Sequence, residues 1–115
     1  MSALPVPQSA RAILLEVIDG PHLGIIAAVT SYPFKIGRTP ENHLSLPNDN
    51  KVSRAQLEIR WGNGQLTVHN LSQKSSLLIN GQKMGGAIVN SNCELRIGDT
   101  TLRLKFLDQE PAMIS

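Results

Sequence analysis

Turn-forming residues interrupt this chain so often that no segment is left in which a substantial helix could form. No stretch of ten or more residues repeats its apolar side chains with the 3.6-residue period of a helix. Short apolar segments instead alternate with clusters of Gly, Pro, Asn, Asp and Ser, to which nine glycines and seven prolines contribute. This pattern predicts many short strands joined by tight turns.

Several segments alternate apolar and polar residues, which is the period of a half-buried strand. The strands predicted from this pattern and from shorter apolar runs are 12–18, 25–29, 32–36, 44–46, 55–61, 65–70, 77–79, 93–97 and 101–106. In the segment 55–61, the alternation puts Ala55 and Leu57 on the buried face and Gln56 on the exposed face. Gly62-Asn63-Gly64 and Asn80-Gly81 are tight hairpin signals.

The many short strands and frequent turns indicate a sandwich or a barrel. Aromatic residues make up only 3% of the chain, so the core has to be built from Ile, Leu and Val. We predict an all-β fold, a single antiparallel β-sandwich with no substantial helix. The 115 residues suffice for one such domain, and we expect a flexible leader at 1–11, the sandwich at 12–107 and a tail at 108–115.

Cysteine content and hydropathy bear on the compartment. Cys93 is the single cysteine, so the chain can form no internal disulfide, which suits a reducing compartment. No apolar run approaches the roughly 20 residues of a membrane span, and the first ten residues lack the charged start of a signal peptide. We therefore expect a cytoplasmic location, as a separate protein or as part of a larger assembly, and no membrane insertion.

Charge and motifs argue against two classes of function. The net charge of +2 is too small to predict nucleic-acid binding, and few aromatic residues are available for base stacking. The sequence contains no Gly-x-Ser-x-Gly elbow, no His-Glu-x-x-His motif and no phosphate-binding Gly-rich loop before a helix. His22, His43 and His69 fall in separate turns or strand ends. We expect a non-enzymatic protein without a cofactor or a metal.

Three turns carry polar residues that could together hold an anion. Arg38 follows a predicted strand, Ser53 and Arg54 precede another, and Lys74 and Ser75 lie in a polar loop. Arginine offers a planar fork, serine a short hydrogen bond and lysine a point charge, which together suit a phosphate group. On spacing alone, ordinary solvated loop residues are the simpler interpretation.

Four segments occur in the order of a known pattern. They are FKIGR at 34–38, VSRAQL at 52–57, NLSQKSSLLING at 70–81 and LRIGD at 95–99. Each is weak alone, but the ordered set resembles the forkhead-associated (FHA) domain family. The resemblance spans nearly the whole chain and implies an eleven-stranded sandwich whose apical loops bind a phosphothreonine peptide.

Carried over position by position, the resemblance implies a set of phosphopeptide-binding residues. Arg38 would contact the phosphate, Ser53 would hydrogen-bond one of its oxygens and Arg54 would sit beside it. Lys74 would add a contact to the phosphate or to the peptide, and Ser75 occupies the place of the asparagine that usually holds the peptide backbone. The residues implied as structural support for the loops are Gly37, Gln56, Asn80 and Gly81.

The chain departs from the family pattern in its loops. Gln56 takes the place of the usual histidine, and Ser75 and Ser76 replace the usual Asn-Gly. We therefore predict a module that binds phosphothreonine peptides with atypical or weakened specificity, in signalling or regulated assembly. Its partner would be a protein marked by a Ser/Thr kinase. The alternative is a phosphate-independent scaffold with the same fold, which could self-associate weakly through a strand edge.

Overall fold

The computed structural model describes residues 11–107, which form eleven strands and no helix. Consequently, this part of the chain has no helix that could cross a membrane. The strands, in chain order, are β1 Ile13–Asp19, β2 Ile26–Ala28, β3 Phe34–Gly37, β4 Leu44–Ser45, β5 Leu57–Gly62, β6 Gln65–Asn70, β7 Leu77–Ile79, β8 Gln82–Lys83, β9 Gly86–Val89, β10 Cys93–Ile97 and β11 Thr100–Phe106. The predicted leader and tail, apart from Arg11, lie outside the described residues.

The strands form two sheets that pack as a sandwich. One sheet has six strands in the order β2-β1-β11-β10-β7-β8, and the other has five in the order β4-β3-β5-β6-β9. Every pair is antiparallel except β3 and β4, which run parallel for two residues. The predicted all-β sandwich is confirmed.

The core between the sheets is aliphatic, as the low aromatic content predicts. In β1 and β11 alternate residues are buried, so Leu15 and Leu104 are wholly inaccessible while Glu16 and Arg103 lie on the outer face. Burial of apolar surface is the main driving force for folding. The strict alternation of these two central strands therefore fixes which face of the six-stranded sheet packs inward.

Hairpin turns form where the sequence predicts them. Asn63 and Gly64 join β5 to β6 with φ of 54° and 73°, and Asn80 and Gly81 join β7 to β8 with φ of 49° and 86°. Two consecutive residues with positive φ are the requirement of a type I′ turn, for which Asn-Gly is the favoured pair.

Two details of the predicted strands are wrong. The strand β5 begins at Leu57, so Ala55 lies before it and is exposed, whereas Gln56 is completely buried. The alternation fails there because Gln56 turns its side chain under the loops to hydrogen-bond with them. In addition, two edge strands form where none is predicted: Gln82–Lys83 pairs with β7, and Gly86–Val89 pairs with β6.

Candidate functional site

A groove of about 680 Å³ lies where several loops meet at one end of the sandwich. Arg38 enters it directly after β3, and Ser53 comes from the loop between β4 and β5. Lys74 and Ser75 come from the loop between β6 and β7. We call this the Arg38 groove. It brings together four of the five residues for which the sequence predicts phosphopeptide contacts.

The close approach of two loops at Gly37 places Arg38 beside Ser53. A Cβ atom added to Gly37 would lie 2.1 Å from the carbonyl oxygen of Arg54, so no larger residue fits there without moving the backbone. This approach lets the Arg38 backbone N–H donate to the Ser53 carbonyl oxygen at 3.0 Å. The glycine therefore sets the distance between the two loops.

The Arg38 side chain has unused hydrogen-bonding capacity. It is half-buried, and it forms no ion pair with any other residue of the range 11–107. Its Nε is buried and has no hydrogen-bond partner in this range. Leaving a charged donor unsatisfied is costly, so this guanidinium is suited to an anionic group in the groove.

The orientation of the Ser53 hydroxyl follows from its neighbour Ser72. Their Oγ atoms lie 2.6 Å apart, and Ser72 Oγ accepts the backbone N–H groups of Lys74 and Ser75 at 3.0 and 2.9 Å. A hydroxyl oxygen has two lone pairs and one proton. Both lone pairs of Ser72 are used, so it donates to Ser53. The proton of Ser53 is then available to a ligand in the groove.

Gln56 connects two loops and the end of β6 by hydrogen bonds from below. Its Oε1 accepts the Ser53 backbone N–H at 2.8 Å, and its Nε2 donates to Asn70 Oδ1 at 2.9 Å and to the Ser75 carbonyl at 3.3 Å. The side chain is completely buried, and both ends of the amide are satisfied. These contacts are those of a residue that supports the loops, which is the role the family resemblance implies.

Ser75 is held by its own loop and by the neighbouring one. Its N–H donates to Ser72, its carbonyl accepts from Asn70 and Gln56, and its hydroxyl donates to the Lys51 carbonyl. Each of its donors is therefore already engaged. Ser75 lines the groove, but it can offer a peptide only acceptor capacity.

Asp49 braces the groove from the other side. Asp49 is 1% exposed, and its carboxylate accepts three hydrogen bonds, from the Lys51 and Asp99 backbone N–H groups and from the Thr100 hydroxyl. The two bonds to Asp99 and Thr100 connect the β4–β5 loop to the β10–β11 turn. Such charge-assisted bonds are stronger than neutral ones, and they fix the backbone that leads into Ser53.

The electrostatics of the groove favour an anion. Five cationic side chains line it, namely Arg38, Lys51, Lys74, Lys83 and Arg96, and no Asp or Glu is among the described residues that do so. Lys51 pairs with Asp99 at 3.3 Å on the exposed surface. A cleft lined by one sign of charge raises the local concentration of ligands of the opposite sign.

The remaining predicted site residues lie elsewhere. Arg54 borders a neighbouring concavity with Thr39 and Glu41, outside the Arg38 groove. In this concavity the pKa of the Glu41 carboxyl is lowered, mainly by a hydrogen bond from the Thr39 hydroxyl. The positive charge of Arg54 makes the smallest contribution to this shift. Asn80 and Gly81 form the β7–β8 turn, which the Asn80 side chain attaches to β10 by accepting the Glu94 N–H at 2.9 Å.

Sequence reasoning missed Ser72 and Asp49 as residues that organise the site. Neither is among the residues that the sequence predicts to contact the ligand or to support the loops. The signal for Ser72 was its position two and three residues before Lys74 and Ser75, since serine hydroxyls commonly accept such local N–H groups. Asp49 offered no comparable signal, because two of its partners lie 50 and 51 residues further along the chain.

Neither a metal centre nor a reactive thiol is evident in the range 11–107. This range contains no cluster of three or more His, Cys, Asp or Glu side chains that could hold a metal ion. Cys93 is buried, and burial, helped by the nearby Glu94 charge, raises the pKa of its thiol to about 11. A thiol of this kind is a poor nucleophile at neutral pH.

Comparison with known proteins identifies the family. The FHA domain model matches residues 34–98, which is more than half of the chain. No curated protein sequence matches at a significant level. Many solved structures do match, all three of those described below being FHA domains.

Three of these structures illustrate the similarity. An FHA domain from a structural and functional analysis of phosphothreonine-dependent interactions has a TM-score of 0.74 and 23% identity, covering 88% of this chain and 99% of that one. The FHA domain of an Arabidopsis thaliana hypothetical protein has a TM-score of 0.75 and 17% identity, covering 99% and 100%.

The N-terminal FHA domain of S. cerevisiae Rad53p, solved with a phosphothreonine peptide, has a TM-score of 0.70 and 19% identity, covering 84% and 95%. At these identities the solved structures establish only the shared fold. Membership of the family is established by the match of the FHA domain model to residues 34–98. The chain belongs to the FHA domain family.

Proposed function

We propose that this protein binds phosphothreonine peptides of a partner protein in the Arg38 groove. FHA domains as a family are phosphothreonine-peptide-binding interaction modules. The observation that carries the proposal for this chain is the half-buried Arg38, whose Nε has no partner among residues 11–107. Ser53 in the same groove has a proton available for a phosphate oxygen.

The chemistry of a phosphorylated residue matches these groups. A phosphothreonine carries about −1.5 to −2 charges and three acceptor oxygens. Arg38 supplies a fork of donors, Ser53 a hydroxyl and Lys74 a mobile positive charge. In a protein–protein interaction the phosphate would be placed by a Ser/Thr kinase, so binding would serve signalling or regulated assembly.

The proposed specificity is atypical for the family. Ser75 replaces the usual asparagine, and its N–H and hydroxyl are both engaged within the loops. It therefore cannot grip the peptide backbone as a free amide side chain would. The loss of about one neutral hydrogen bond, worth about 0.5–1.5 kcal/mol, corresponds to roughly a tenfold weaker reading of the residues that flank the phosphothreonine.

The test is a titration with two matched peptide libraries, one with phosphothreonine and the other with threonine at the central position. We expect binding to the phosphorylated library only. Arg38→Ala should lower this affinity by about tenfold or more, since hydrogen bonds to charged groups contribute about 1.5–3 kcal/mol. Arg60→Ala is the matched control, because Arg60 pairs with Glu58 and lies outside the groove. Equal binding of both libraries, or full binding by Arg38→Ala, contradicts the proposal.

The alternative function, phosphate-independent association, has one favourable observation. Ile26, the first residue of the edge strand β2, is 60% exposed, and Leu23, in the turn before this strand, is 68% exposed. An edge strand with apolar neighbours can pair with a further strand from a partner or from a second copy. Sedimentation of the unliganded protein tests self-association: a dimer that Ile26→Lys abolishes supports it, and a monomer at high concentration contradicts it.

A further inference from the structure

Two cations of the Arg38 groove come from the face of the six-stranded sheet rather than from the loops. Arg96 in β10 lies opposite Leu78 in β7, and Leu78 lies opposite Lys83 in β8. Residues directly opposite each other in neighbouring strands share a face and lie close together. Lys83, Leu78 and Arg96 therefore form one row across three strands, which we call the basic row.

The cations of the basic row have no acidic partners in the range 11–107. On the same sheet, Lys105 pairs with Glu16 at 3.1 Å and Arg103 with Glu94 at 3.7 Å. The two charges of the basic row remain without an ion pair among the described residues. On this sheet the ion pairs therefore lie away from the groove, while the two cations without an ion pair among the described residues lie next to it.

The basic row borders the same groove as Arg38 and Ser53. Leu78, between the two cations, is half-buried and gives the row an apolar floor. An extended peptide advances about 3.3–3.6 Å per residue, so residues close to an anchored phosphothreonine come within reach of long Lys and Arg side chains. A ligand held by Arg38 would bring its flanking residues past this row.

We propose that the basic row is a second anion subsite, which selects phosphopeptides that carry a further acidic group close to the phosphothreonine. This inference rests on the proposed function and adds a specificity determinant to it. The acidic group can be a second phosphate or a carboxylate, because both accept hydrogen bonds from Lys and Arg. The row would compensate for the weak peptide contacts available from Ser75.

The experiment uses a Gly/Ser-based peptide with one central phosphothreonine. Phosphoserine, glutamate or serine is placed in turn at each position from −6 to +6, and affinity is measured in 50 mM salt. We expect phosphoserine at one or a few adjacent positions to strengthen binding by about three- to tenfold, and glutamate by less, because exposed charge pairs contribute modestly. The gain should shrink in 0.5 M salt.

Variants assign the gain to the row. The gain is taken as the ratio between the affinities for the doubly acidic and the singly phosphorylated peptide, each measured with the same variant. In Lys83→Ala/Arg96→Ala this ratio should fall below about twofold, even though the loss of two cations from the groove also lowers the affinity for both peptides. Lys35→Ala is the control, since Lys35 is exposed on the other sheet and outside the groove. It should leave the gain unchanged.

Three results would overturn the inference, and they are distinguishable. If the singly phosphorylated peptide binds and no second acidic group strengthens it, the subsite fails while the proposed function stands. The subsite also fails if the gain persists in the double variant. If no phosphopeptide binds at all, the proposed function fails and the subsite fails with it.

Discussion

The hydroxyl oxygens of Ser53 and Ser72 lie 2.6 Å apart where the β4–β5 and β6–β7 loops meet, with Ser72 as the donor. The direction of this bond is set by the two backbone N–H groups that occupy the lone pairs of Ser72. Ser72 therefore determines which way the Ser53 proton points. It is a positioning residue that acts on the ligand through its neighbour.

Replacing Ser72 with alanine should weaken phosphopeptide binding by about three- to tenfold, corresponding to the loss of about one hydrogen bond. Titration calorimetry with a phosphothreonine peptide measures the effect. Ser72→Thr keeps the hydroxyl and should restore affinity, while Ser91→Ala, an exposed serine in a distant turn, should have no effect. Unchanged affinity in Ser72→Ala would refute the positioning role.

Gly37→Ala should destabilise the protein by at least about 2 kcal/mol, because its Cβ would overlap the Arg54 carbonyl and force the backbone to move. Gly85→Ala is the matched control, since a Cβ there meets nothing within 4 Å. It should be neutral or slightly stabilising. Urea denaturation measures both free energies of unfolding, and equal stability of the two variants would show that the close approach is relaxed in solution.

Asp49→Asn should lower the free energy of unfolding by about 1–3 kcal/mol. The carboxylate accepts hydrogen bonds through both oxygens, so an asparagine must turn its NH₂ group toward a donor, at Lys51 or at Asp99 and Thr100. Urea denaturation measures the free energy of unfolding of this variant. Asp19→Asn is the control, because it alters an exposed aspartate. Equal unfolding midpoints for Asp49→Asn and the control would contradict the stabilising role of the Asp49 hydrogen bonds.

The Cys93 thiol should stay protonated well above neutral pH in the folded protein, because its pKa is raised to about 11 by burial. Its thiolate fraction should grow about tenfold for each pH unit from pH 7 to about pH 10, whereas an unperturbed thiol levels off above about pH 8.5. The rate of reaction with a disulfide reagent follows this fraction. The protein unfolded in guanidinium serves as the reference for an unperturbed thiol. A reaction rate of the native protein that levels off below pH 9 would contradict the raised pKa.

The sequence predicts the central strands because their own side chains specify them. In β1 the residues Ile13, Leu15 and Val17, and in β11 the residues Leu102, Leu104 and Phe106, are apolar and buried at every second position, so the pattern alone identifies the strand and its face. By contrast, β8 consists of two exposed polar residues, Gln82 and Lys83, and β9 begins with Gly86. These edge strands are ordered by pairing with their neighbours, which a single-sequence pattern does not display.

The residues of the candidate site also fall into those that the sequence predicts and those that only the structure reveals. The order of four short motifs pointed to Arg38 and Ser53, which the fold brings to one groove. The roles of Ser72 and Asp49 arise from contacts between residues 19 to 51 positions apart, and those of Lys83 and Arg96 arise from strand register. Gln56 was assigned to the wrong face because the last residue before a strand need not follow its alternation.

An amide at position 56 also makes the loop arrangement insensitive to acidification. The histidine that commonly stands at this place in the family titrates near pH 6.5, so its donors and acceptors change as the solution becomes mildly acidic. Gln56 has no proton to gain in that range, and its contacts to Ser53, Asn70 and Ser75 keep the same donors and acceptors. Between about pH 5 and 7 the Gln56 side chain should therefore add nothing to the pH dependence of ligand binding, whereas the second ionisation of the phosphate, near pH 6, should contribute to it.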